Sequence, residues 1–323
     1  MPDITKLLIA NRGEIALRIQ RTARDMGLST VAVYSEADAK APHVKAANEA
    51  IAIGPARASE SYLSIAAIVD AARQSRADAV HPGYGFLSEN ADFARACADA
   101  GLIFIGPDSE AIRLMGDKRL AKQRMRDAGI PCVPGWDGED QDDPTIVSAA
   151  SDLGFPLMVK AAAGGGGRGM RLVTDADGIG GAITSARSEA QDAFGDGTLI
   201  LERAVSSARH IEVQIFGDRH NNIVHLGARD CSVQRRHQKV IEEAPPPDLS
   251  TTVLEALYAA AIDAAAAIDY VGAGTVEFLV GPNEEFYFLE MNTRLQVEHP
   301  VTEMITGEDL VAWQILVARG EPL

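Results

Sequence analysis

The stretch KAAAGGGGRGM, residues 160–170, separates two apolar segments that have the composition of β-strands. Its glycines match both a G-x-G-x-x-G pattern and the glycine spacing of a P-loop, but neither context fits. A dinucleotide fingerprint opens a helix, whereas residues 170–173 (MRLV) predict a strand; a P-loop continues with Lys and Ser or Thr, whereas Met170 and Arg171 stand here. We therefore predict a hairpin whose glycine loop closes its backbone N–H groups over phosphates, with Lys160 adding a positive charge. A plain flexible hairpin is the alternative.

Toward the N-terminus, residues 5–115 alternate short apolar runs with helical patterns. This alternation predicts a parallel sheet with helices on both faces, in which ligands bind beyond the carboxyl ends of the strands. The loops at that edge are residues 11–13 and 81–90. The segment IANRGEIA, residues 9–16, has one glycine where a dinucleotide fingerprint has three, so we do not expect a dinucleotide there.

A single helix, capped by Asp108 or Ser109, is predicted next. Two α+β segments are predicted to follow it. Residues 131–205 contain strands on both sides of the glycine loop together with two helical segments, and are predicted to form a small separate unit. Residues 206–323 contain an alternating strand, a long alanine-rich helix and a hairpin whose turn lies near residues 281–284.

The charge and the cysteine content argue against several classes of protein. The chain of 323 residues carries a formal net charge of −16, which disfavours duplex nucleic acid and an anionic membrane as partners. The sequence begins without a signal-peptide pattern, and no apolar run has transmembrane length. The three cysteines are far apart and form no CxxC pair, which favours a reducing compartment, the cytosol or an organelle matrix.

Two glutamates and an asparagine on the predicted hairpin are candidate metal ligands. With the turn at residues 281–284, Glu277 lies diagonally opposite Glu290, and the period of a strand places Asn292 on the same face. Carboxylate and amide oxygens suit Mg²⁺, which takes one or two carboxylates together with substrate phosphates. Phe288, expected beside Glu277, and the apolar opposite face indicate burial, where carboxylates need partners. A solvated polar face is the alternative.

Two charged segments flank these strands. Residues 229–239 (RDCSVQRRHQK) concentrate basic and imidazole groups in an acidic chain and predict a site for a phosphate or a bicarbonate; a solvated loop is the alternative. In residues 292–300 (NTRLQVEHP), Arg294 and Glu298 stand close together. A glutamate beside an arginine can act as a base toward an acid that the arginine binds, and the alternative is a charged pair without a catalytic role.

Five segments in order resemble the signatures of biotin carboxylase, within the ATP-grasp superfamily. They are IANRGEIALRI (9–19), VHPGYGFLSEN (80–90), FPLMVKAAAGGGGRGM (155–170), RDCSVQRRHQK (229–239) and FLEMNTRLQVEHPVTEM (288–304). The resemblance extends over nearly the whole chain. Further local matches are most similar to the biotin-bearing subunits of acyl-CoA carboxylases, above all the methylcrotonyl-CoA type, with the geranyl- and propionyl-CoA types near by.

The resemblance implies an α/β architecture in two parts. Residues 1–115 would form a Rossmann-like N-terminal domain with a parallel sheet, and residues 116–323 would form an ATP-grasp fold. Within the second part, residues 131–205 would be a mobile lid and residues 206–323 an incomplete C-terminal α+β subdomain, because the family's catalytic subunit continues well beyond the last residue of this sequence.

The resemblance also assigns roles to individual residues. ATP would be contacted by Lys118, Lys160, Gly164, Gly165, Gly166, Gly167, Met170, Glu202, Arg203, Val205, His210, Gln234, His237 and Leu279. Mg²⁺ or Mn²⁺ would be bound by Glu277, Glu290 and Asn292. Bicarbonate would be bound by Lys239, Arg294, Gln296, Val297 and Glu298. The catalytic residues would be Glu298, Arg294 and Lys239.

The reaction implied by the resemblance is the carboxylation of biotin. Glu298 would deprotonate bicarbonate, bicarbonate would attack the γ-phosphate of ATP to give carboxyphosphate, and the CO₂ from it would pass to N1 of biotin. The implied partners are a biotinyl carrier domain and a carboxyltransferase subunit, in a cytoplasmic homo-oligomer without nucleic acid or membrane. One alternative is a non-catalytic ATP-binding fragment. The other is a different ATP-grasp ligase, and the segments RRHQK and QVEHP argue against that second alternative.

Overall fold

The computed structural model describes residues 3–163, 169–235 and 238–323. Its first part alternates strands and helices, as predicted. In chain order these are β1 (Lys6–Ile9), α1 (Gly13–Asp25), β2 (Ser29–Ser35), α2 (Pro42–Ala46), β3 (Glu49–Gly54), α3 (Ile65–Ser75), β4 (Ala79–His81), α4 (Ala91–Asp99) and β5 (Ile103–Phe104). The strands form a parallel sheet in the order β3-β2-β1-β4-β5. The edge strand β3 and the short helix α2 are additions to the predicted elements.

The central strand β1 explains how the parallel sheet is packed. Leu7 and Ile9 lie in one hydrophobic cluster with residues of α1, and Leu8 lies in the cluster on the opposite face with residues of α3. The strand order reverses between β1 and β4, so the loops that follow these two strands border a crevice at the carboxyl edge of the sheet. The loop after β4, residues 82–90, is the one that reaches toward the C-terminal part of the chain.

The single helix predicted from Asp108 is two helices, α5 (Ser109–Gly116) and α6 (Lys118–Asp127). Asp108 caps α5 by accepting the Ala111 N–H at 2.8 Å, which confirms one of the two predicted caps. Asp117 then interrupts the helix: it has extended backbone geometry, and its carboxylate accepts the N–H groups that begin α6. The prediction of one helix was wrong because an internal aspartate serves as a second cap.

The glycine-rich segment lies between two strands, as the sequence predicts. This region contains β6 (Gly135–Trp136), α7 (Asp143–Leu153), β7 (Leu157–Ala161), β8 (Arg171–Val173), α8 (Ile179–Phe194) and β9 (Leu199–Arg203). The strands pair antiparallel in the order β6-β9-β7-β8, and α7 and α8 contribute to one hydrophobic cluster with them. β7 and β8 are direct neighbours, with Val159 opposite Arg171, so the segment between them joins a hairpin.

A third sheet carries the predicted metal ligands and four other predicted site residues, His210, Gln234, Lys239 and Leu279. The remaining elements are β10 (Arg209–Gly217), β11 (Ile223–Arg235), β12 (Gln238–Glu243), α9 (Thr251–Ala266), β13 (Gly272–Val280), β14 (Phe286–Asn292), α10 (His299–Thr306) and α11 (Leu310–Ala318). The antiparallel order is β12-β11-β10-β13-β14, and α9 packs on one face. Ile211, Val213 and Ile215 lie on that apolar face, so the opposite face of β10 is left for polar side chains.

The C-terminal helices are bound to the parallel sheet by polar contacts. Arg18 on α1 donates to Glu303 at 2.7 Å and to Asp309 at 2.8 Å, and Asp309 also caps α11. His81 at the end of β4 lies 3.2 Å from Gln314 Oε1 on α11. In the part of the chain that the structure describes, none of the helices has both the length and the apolar character needed to cross a bilayer. The domain boundaries given above stay predictions.

Candidate active site

Lys239 lies at the centre of a cluster of buried carboxylates. Its Nζ donates hydrogen bonds to Glu212 on β10, to Glu277 on β13 at 2.9 Å and to Glu298, just before α10, at 2.8 Å. Burial disfavours an ammonium ion, but the carboxylates outweigh burial and raise the pKa of Lys239 well above its ordinary value. The lysine therefore stays charged and connects three separate segments of the chain.

Glu277 is bound by several donors besides this lysine. His210 Nε2 lies 2.6 Å from one carboxylate oxygen, and Asn292 Nδ2 and Gln296 Nε2 lie 2.7 Å and 3.4 Å from the other. Burial alone would raise the pKa of Glu277, but His210 and Lys239 outweigh it and hold that pKa below its ordinary value. The carboxylate of Glu277 is thus ionised and joins the charged residues of β10, β12 and β14.

The predicted nucleotide residues on this sheet lie close to one another. Gln234 Nε2 donates to His210 Nδ1 at 2.8 Å, which leaves the proton of the neutral ring on Nε2, toward Glu277. Burial lowers the pKa of His210, but its hydrogen bond to Glu277 outweighs burial and raises that pKa. Leu279 is paired with His210 in register, so it lies on the neighbouring strand at the same level.

The buried ion pair between Glu212 and Arg229 was not predicted from the sequence. Glu212 is fully buried and pairs with Arg229, whose Nε lies 2.5 Å from Glu212 Oε1. Arg229 also donates to Thr302 and Gln214, so its charge is satisfied inside the protein and Arg229 is not available as an anion-binding group of segment 229–239. The signal was present in the sequence: the glutamate alternates with isoleucine and valine in β10, and a buried carboxylate needs a cation.

Arg294 and Glu298 stand on the same side of the cluster. Arg294 donates to Gln296 Oε1 at 2.6 Å and to Asn292 Oδ1 at 3.0 Å, and its Nε donates to Glu89 at 2.7 Å. Burial raises the pKa of Glu298, but Lys239 outweighs burial and holds it below its ordinary value. The structure therefore links the predicted anion-binding arginine to the predicted base through Gln296, Glu277 and Lys239.

The predicted metal ligands are adjacent, but in a different register from the expected one. Glu277 lies directly opposite Glu290, not diagonal to it, because the pairing shifts by one residue between Glu277 and Phe278. For the same reason Phe288 pairs with Phe278 in the hydrophobic core and does not lie beside Glu277. Two carboxylates at this spacing suit Mg²⁺ in charge and donor type. The oxygen of Asn292, the third predicted ligand, accepts a hydrogen bond from Arg294 at 3.0 Å in this structure.

A second buried charge cluster lies between β7, β9 and α6. Glu202 on β9 accepts hydrogen bonds from both Lys160 on β7 and Lys122 on α6, and all three are almost completely buried. Burial would raise the pKa of Glu202, but the two lysines lower it to about 2. Lys160 was predicted to face phosphates and is instead paired with Glu202 in this structure. Lys122 was missed, because it looks like a surface lysine in the helical pattern.

The other predicted residues occupy varied positions. Lys118 donates its backbone N–H to Ala162 at 3.1 Å, next to the glycine-rich segment, and its Nζ lies 3.3 Å from Glu290. Val297 is 59% exposed. Met170 and Val205 are half-buried and Arg203 is exposed, at the ends of β8 and β9. Gly164, Gly165, Gly166, Gly167 and His237 lie outside the described residues.

Comparison with known protein families agrees with this fold. Residues 3–112 match the family model described as biotin carboxylase, N-terminal domain, and residues 117–323 match the model described as carbamoyl-phosphate synthase L chain, ATP binding domain. The chain is 58% identical to the alpha subunit of mitochondrial methylcrotonoyl-CoA carboxylase from Glycine max, over 99% of this chain and 44% of that protein. It thus spans less than half the length of this relative.

Two solved structures share the fold over nearly the whole chain. A biotin carboxylase–βγ-ATP complex from Campylobacter jejuni is 53% identical with a TM-score of 0.97, over 99% of this chain and 72% of that one. The biotin carboxylase domain dimer of Hydrogenobacter thermophilus 2-oxoglutarate carboxylase, in complex with MgADP, ADP and bicarbonate, is 48% identical with a TM-score of 0.96, over 99% of this chain and 70% of that one. The chain belongs to the biotin carboxylase family and has its ATP-grasp architecture.

Proposed function

We propose that this chain supplies the ATP- and bicarbonate-dependent step of a biotin carboxylase, as part of an acyl-CoA carboxylase of the methylcrotonyl-CoA type. The observation that carries the proposal is the position of Lys239. Its ammonium contacts Glu277, a candidate metal ligand, and Glu298, the candidate base. The residues for the nucleotide and those for bicarbonate therefore belong to one continuous cluster, as in-line transfer between the two substrates requires.

The nucleotide would bind between the glycine-rich hairpin and the third sheet. Lys118, His210, Gln234 and Leu279 border this space in the described residues, and the hairpin would close over the triphosphate and exclude water from a labile intermediate. To reach a phosphate, Lys160 would have to leave Glu202, which would then be paired with Lys122. The similarity to ATP- and MgADP-containing structures supports this placement.

Glu277, Glu290 and Asn292 would hold Mg²⁺ or Mn²⁺. When bound, the ion would neutralise phosphate charge and orient the γ-phosphate. For Glu277 to bind it, some of its present donors must turn away from the carboxylate, and for Glu290 the neighbouring Lys118 must do so. The lysine remains close enough to contact the same phosphates.

Arg294 would bind bicarbonate, with Gln296 and Val297 bordering the anion. Glu298 would remove the bicarbonate proton, and the oxygen freed by this step would form a bond to the γ-phosphorus while the bond to ADP breaks. Carboxyphosphate would break down to CO₂ and phosphate, and N1 of biotin would pass its proton to that phosphate and form a bond to the CO₂. Lys239 would stabilise the charge that develops between base and phosphate, because its own charge is secure in this cluster.

The wider assignments rest on the similarity to multidomain carboxylases. We propose a biotinyl carrier domain and a carboxyltransferase subunit as partners, biotin as the acceptor carried by the former, and a homo-oligomer, as the related domain dimer suggests. The cytoplasm is the proposed location, although the Glycine max relative is mitochondrial. The proposed domains are residues 1–115 and 116–323, with residues 131–205 as the mobile lid and residues 206–323 as an incomplete C-terminal subdomain.

The experiment measures ADP release with Mg²⁺, with and without bicarbonate and free biotin, in the parent chain and in Glu298→Gln. We expect slow bicarbonate-dependent ADP release that is lost in the variant. ATP binding without bicarbonate-dependent ADP release would show a non-catalytic nucleotide-binding chain. ADP release that requires another acid in place of bicarbonate would indicate a different ATP-grasp ligase.

A further inference from the structure

Glu89 connects the parallel sheet to the candidate bicarbonate site. It lies in the loop after β4, just before α4, and its Oε2 accepts a hydrogen bond from Arg294 Nε at 2.7 Å. Its Oε1 accepts the backbone N–H of Thr293 at 3.3 Å. The carboxylate of Glu89 thus binds both the side chain of Arg294 and the backbone immediately before it. Glu89 lies about two hundred residues earlier in the chain.

The remaining contacts of Arg294 come from its own neighbourhood. Nη1 donates to Gln296 Oε1 and to the Leu295 carbonyl, and Nη2 donates to Asn292 Oδ1. These acceptors lie within two residues of Arg294 and move with its backbone. Among the described residues, Glu89 is the acceptor that ties the guanidinium to another part of the fold. Because the guanidinium is planar, an acceptor on Nε fixes the plane and thereby the direction of the Nη groups.

The charges are consistent with this arrangement. Burial disfavours the charged form of Arg294, but Glu89 outweighs burial and raises the pKa of the arginine. The side chain of Glu89 is 40% exposed while that of Arg294 is 18% exposed, so Glu89 stands at the rim and the arginine further inside. The carboxylate is therefore placed behind the guanidinium, with the Nη groups toward the cluster around Glu277.

We infer that Glu89 is a positioning residue for Arg294, and that it sets the orientation in which the guanidinium receives bicarbonate. The inference rests on the proposed function. It requires no contact between Glu89 and substrate, because Glu89 acts through the arginine. It also means that the loop after β4 contributes to bicarbonate use although the predicted metal ligands lie on the third sheet.

Steady-state kinetics of three variants test the inference. Glu89→Ala removes both acceptors and should raise the KM for bicarbonate about tenfold, with the KM for ATP unchanged. Glu89→Gln keeps one carbonyl acceptor for Nε and should fall between Glu89→Ala and the parent chain. Glu255→Ala, an exposed helical glutamate with no hydrogen bond among the described residues, is the control for the loss of one negative charge.

Two measurements keep this test separate from turnover. The ¹⁵Nε–H signal of Arg294, assigned by its loss in Arg294→Lys, should shift in Glu89→Ala and not in Glu255→Ala. The dissociation constant of ¹³C-bicarbonate, from line broadening in the presence of MgADP, should rise with the KM. If the parent chain binds bicarbonate without releasing ADP, the proposed reaction fails and the binding series still tests Glu89.

The inference is overturned if Glu89→Ala leaves both the bicarbonate constants and the Arg294 signal as in Glu255→Ala. It is also overturned if KM for ATP, KM for bicarbonate and melting temperature change together, since that pattern is a loss of structure. A parent chain that does not bind bicarbonate at all overturns the inference together with the bicarbonate site.

Discussion

His81 makes the stability of the fold depend on pH. The imidazole is fully buried at the end of β4, its Nδ1 accepts the Gly83 N–H at 3.0 Å, and its Nε2 donates to Gln314 Oε1 at 3.2 Å. The ring is therefore neutral in the folded chain. Burial lowers the pKa of His81 from 6.5 to about 3, and the nearby charge of Arg18 acts in the same direction.

The sign of the effect follows from where the proton binds. Between pH 6.5 and 3 the unfolded chain takes up a proton on His81, and the folded chain does not. The contribution of the neutral ring is therefore complete above pH 6.5 and is lost as the pH falls toward 3, at about 1.4 kcal/mol per pH unit. Moving from pH 7.5 to pH 5 should reduce the free energy of unfolding by about 2 kcal/mol through this residue alone.

Urea unfolding at the two pH values measures this loss. The chain has two tryptophans, and in a Trp136→Phe background Trp313, next to Gln314, reports on the contact of α11 with the parallel sheet. His81→Asn keeps an acceptor for Gly83 and does not titrate, so it should lose about 2 kcal/mol less than the parent on acidification. Equal losses in the two proteins would mean that His81 is protonated in the folded chain, and the reasoning from burial would be refuted.

Three further predictions concern other parts of the structure. Lys122→Met leaves Glu202 with one cation in place of two and should reduce the free energy of unfolding by about 3 kcal/mol, measured by urea titration. Glu290→Gln should weaken Mn²⁺–ADP binding about tenfold without changing the affinity for metal-free ADP, measured by calorimetry. Gly217→Ala should destabilise the chain by at least about 2 kcal/mol, because the added Cβ would lie 2.0 Å from a backbone carbonyl oxygen. Gly181→Ala is the control: it lies in the first turn of α8 with open space around it, and it should stabilise the chain by about 0.5 kcal/mol.

Each of these has an outcome that contradicts it. An unchanged Lys122→Met protein would show that Lys160 alone satisfies Glu202. Equal weakening of metal-bound and metal-free ADP by Glu290→Gln would mean that this glutamate contacts the nucleotide region through Lys118 and not through a metal. A Gly217→Ala protein as stable as the parent would mean that β10 and the residues before β13 can separate locally.

Hydrophobic patterns were sufficient to predict the layout of the fold. The alternation of apolar runs and helices gave the parallel sheet, and the strands around residues 160–170 gave the glycine hairpin. The Lys-Glu-Arg content of segments 229–239 and 292–300 also indicated two segments that the structure brings together, because charged residues next to buried strands need partners. These signals are local, so a single stretch of sequence carries them.

The register and the long-range ion pairs could not be predicted in the same way. Whether Glu277 faces Glu290 directly depends on a one-residue shift beside Phe278, and nothing in the composition of the hairpin marks that shift. Glu89 and Arg294 meet only because two separate sheets pack together. Pairings of this kind depend on the relative placement of whole elements, which the local pattern leaves open.

The three carboxylates around Lys239 have a consequence for how tightly this protein can hold its substrates. If Lys239 binds phosphate or bicarbonate as proposed, the anion does not meet a solvated lysine; it competes with Glu277 and Glu298 for the same ammonium protons. The free energy of binding is therefore the difference between the contacts that the anion gains and the internal contacts that Lys239 gives up. Each internal contact of Lys239 weakens the measured affinity. Evolution can adjust substrate affinity in such a site by loosening Glu212, which contacts Lys239 and has no proposed contact with substrate or metal.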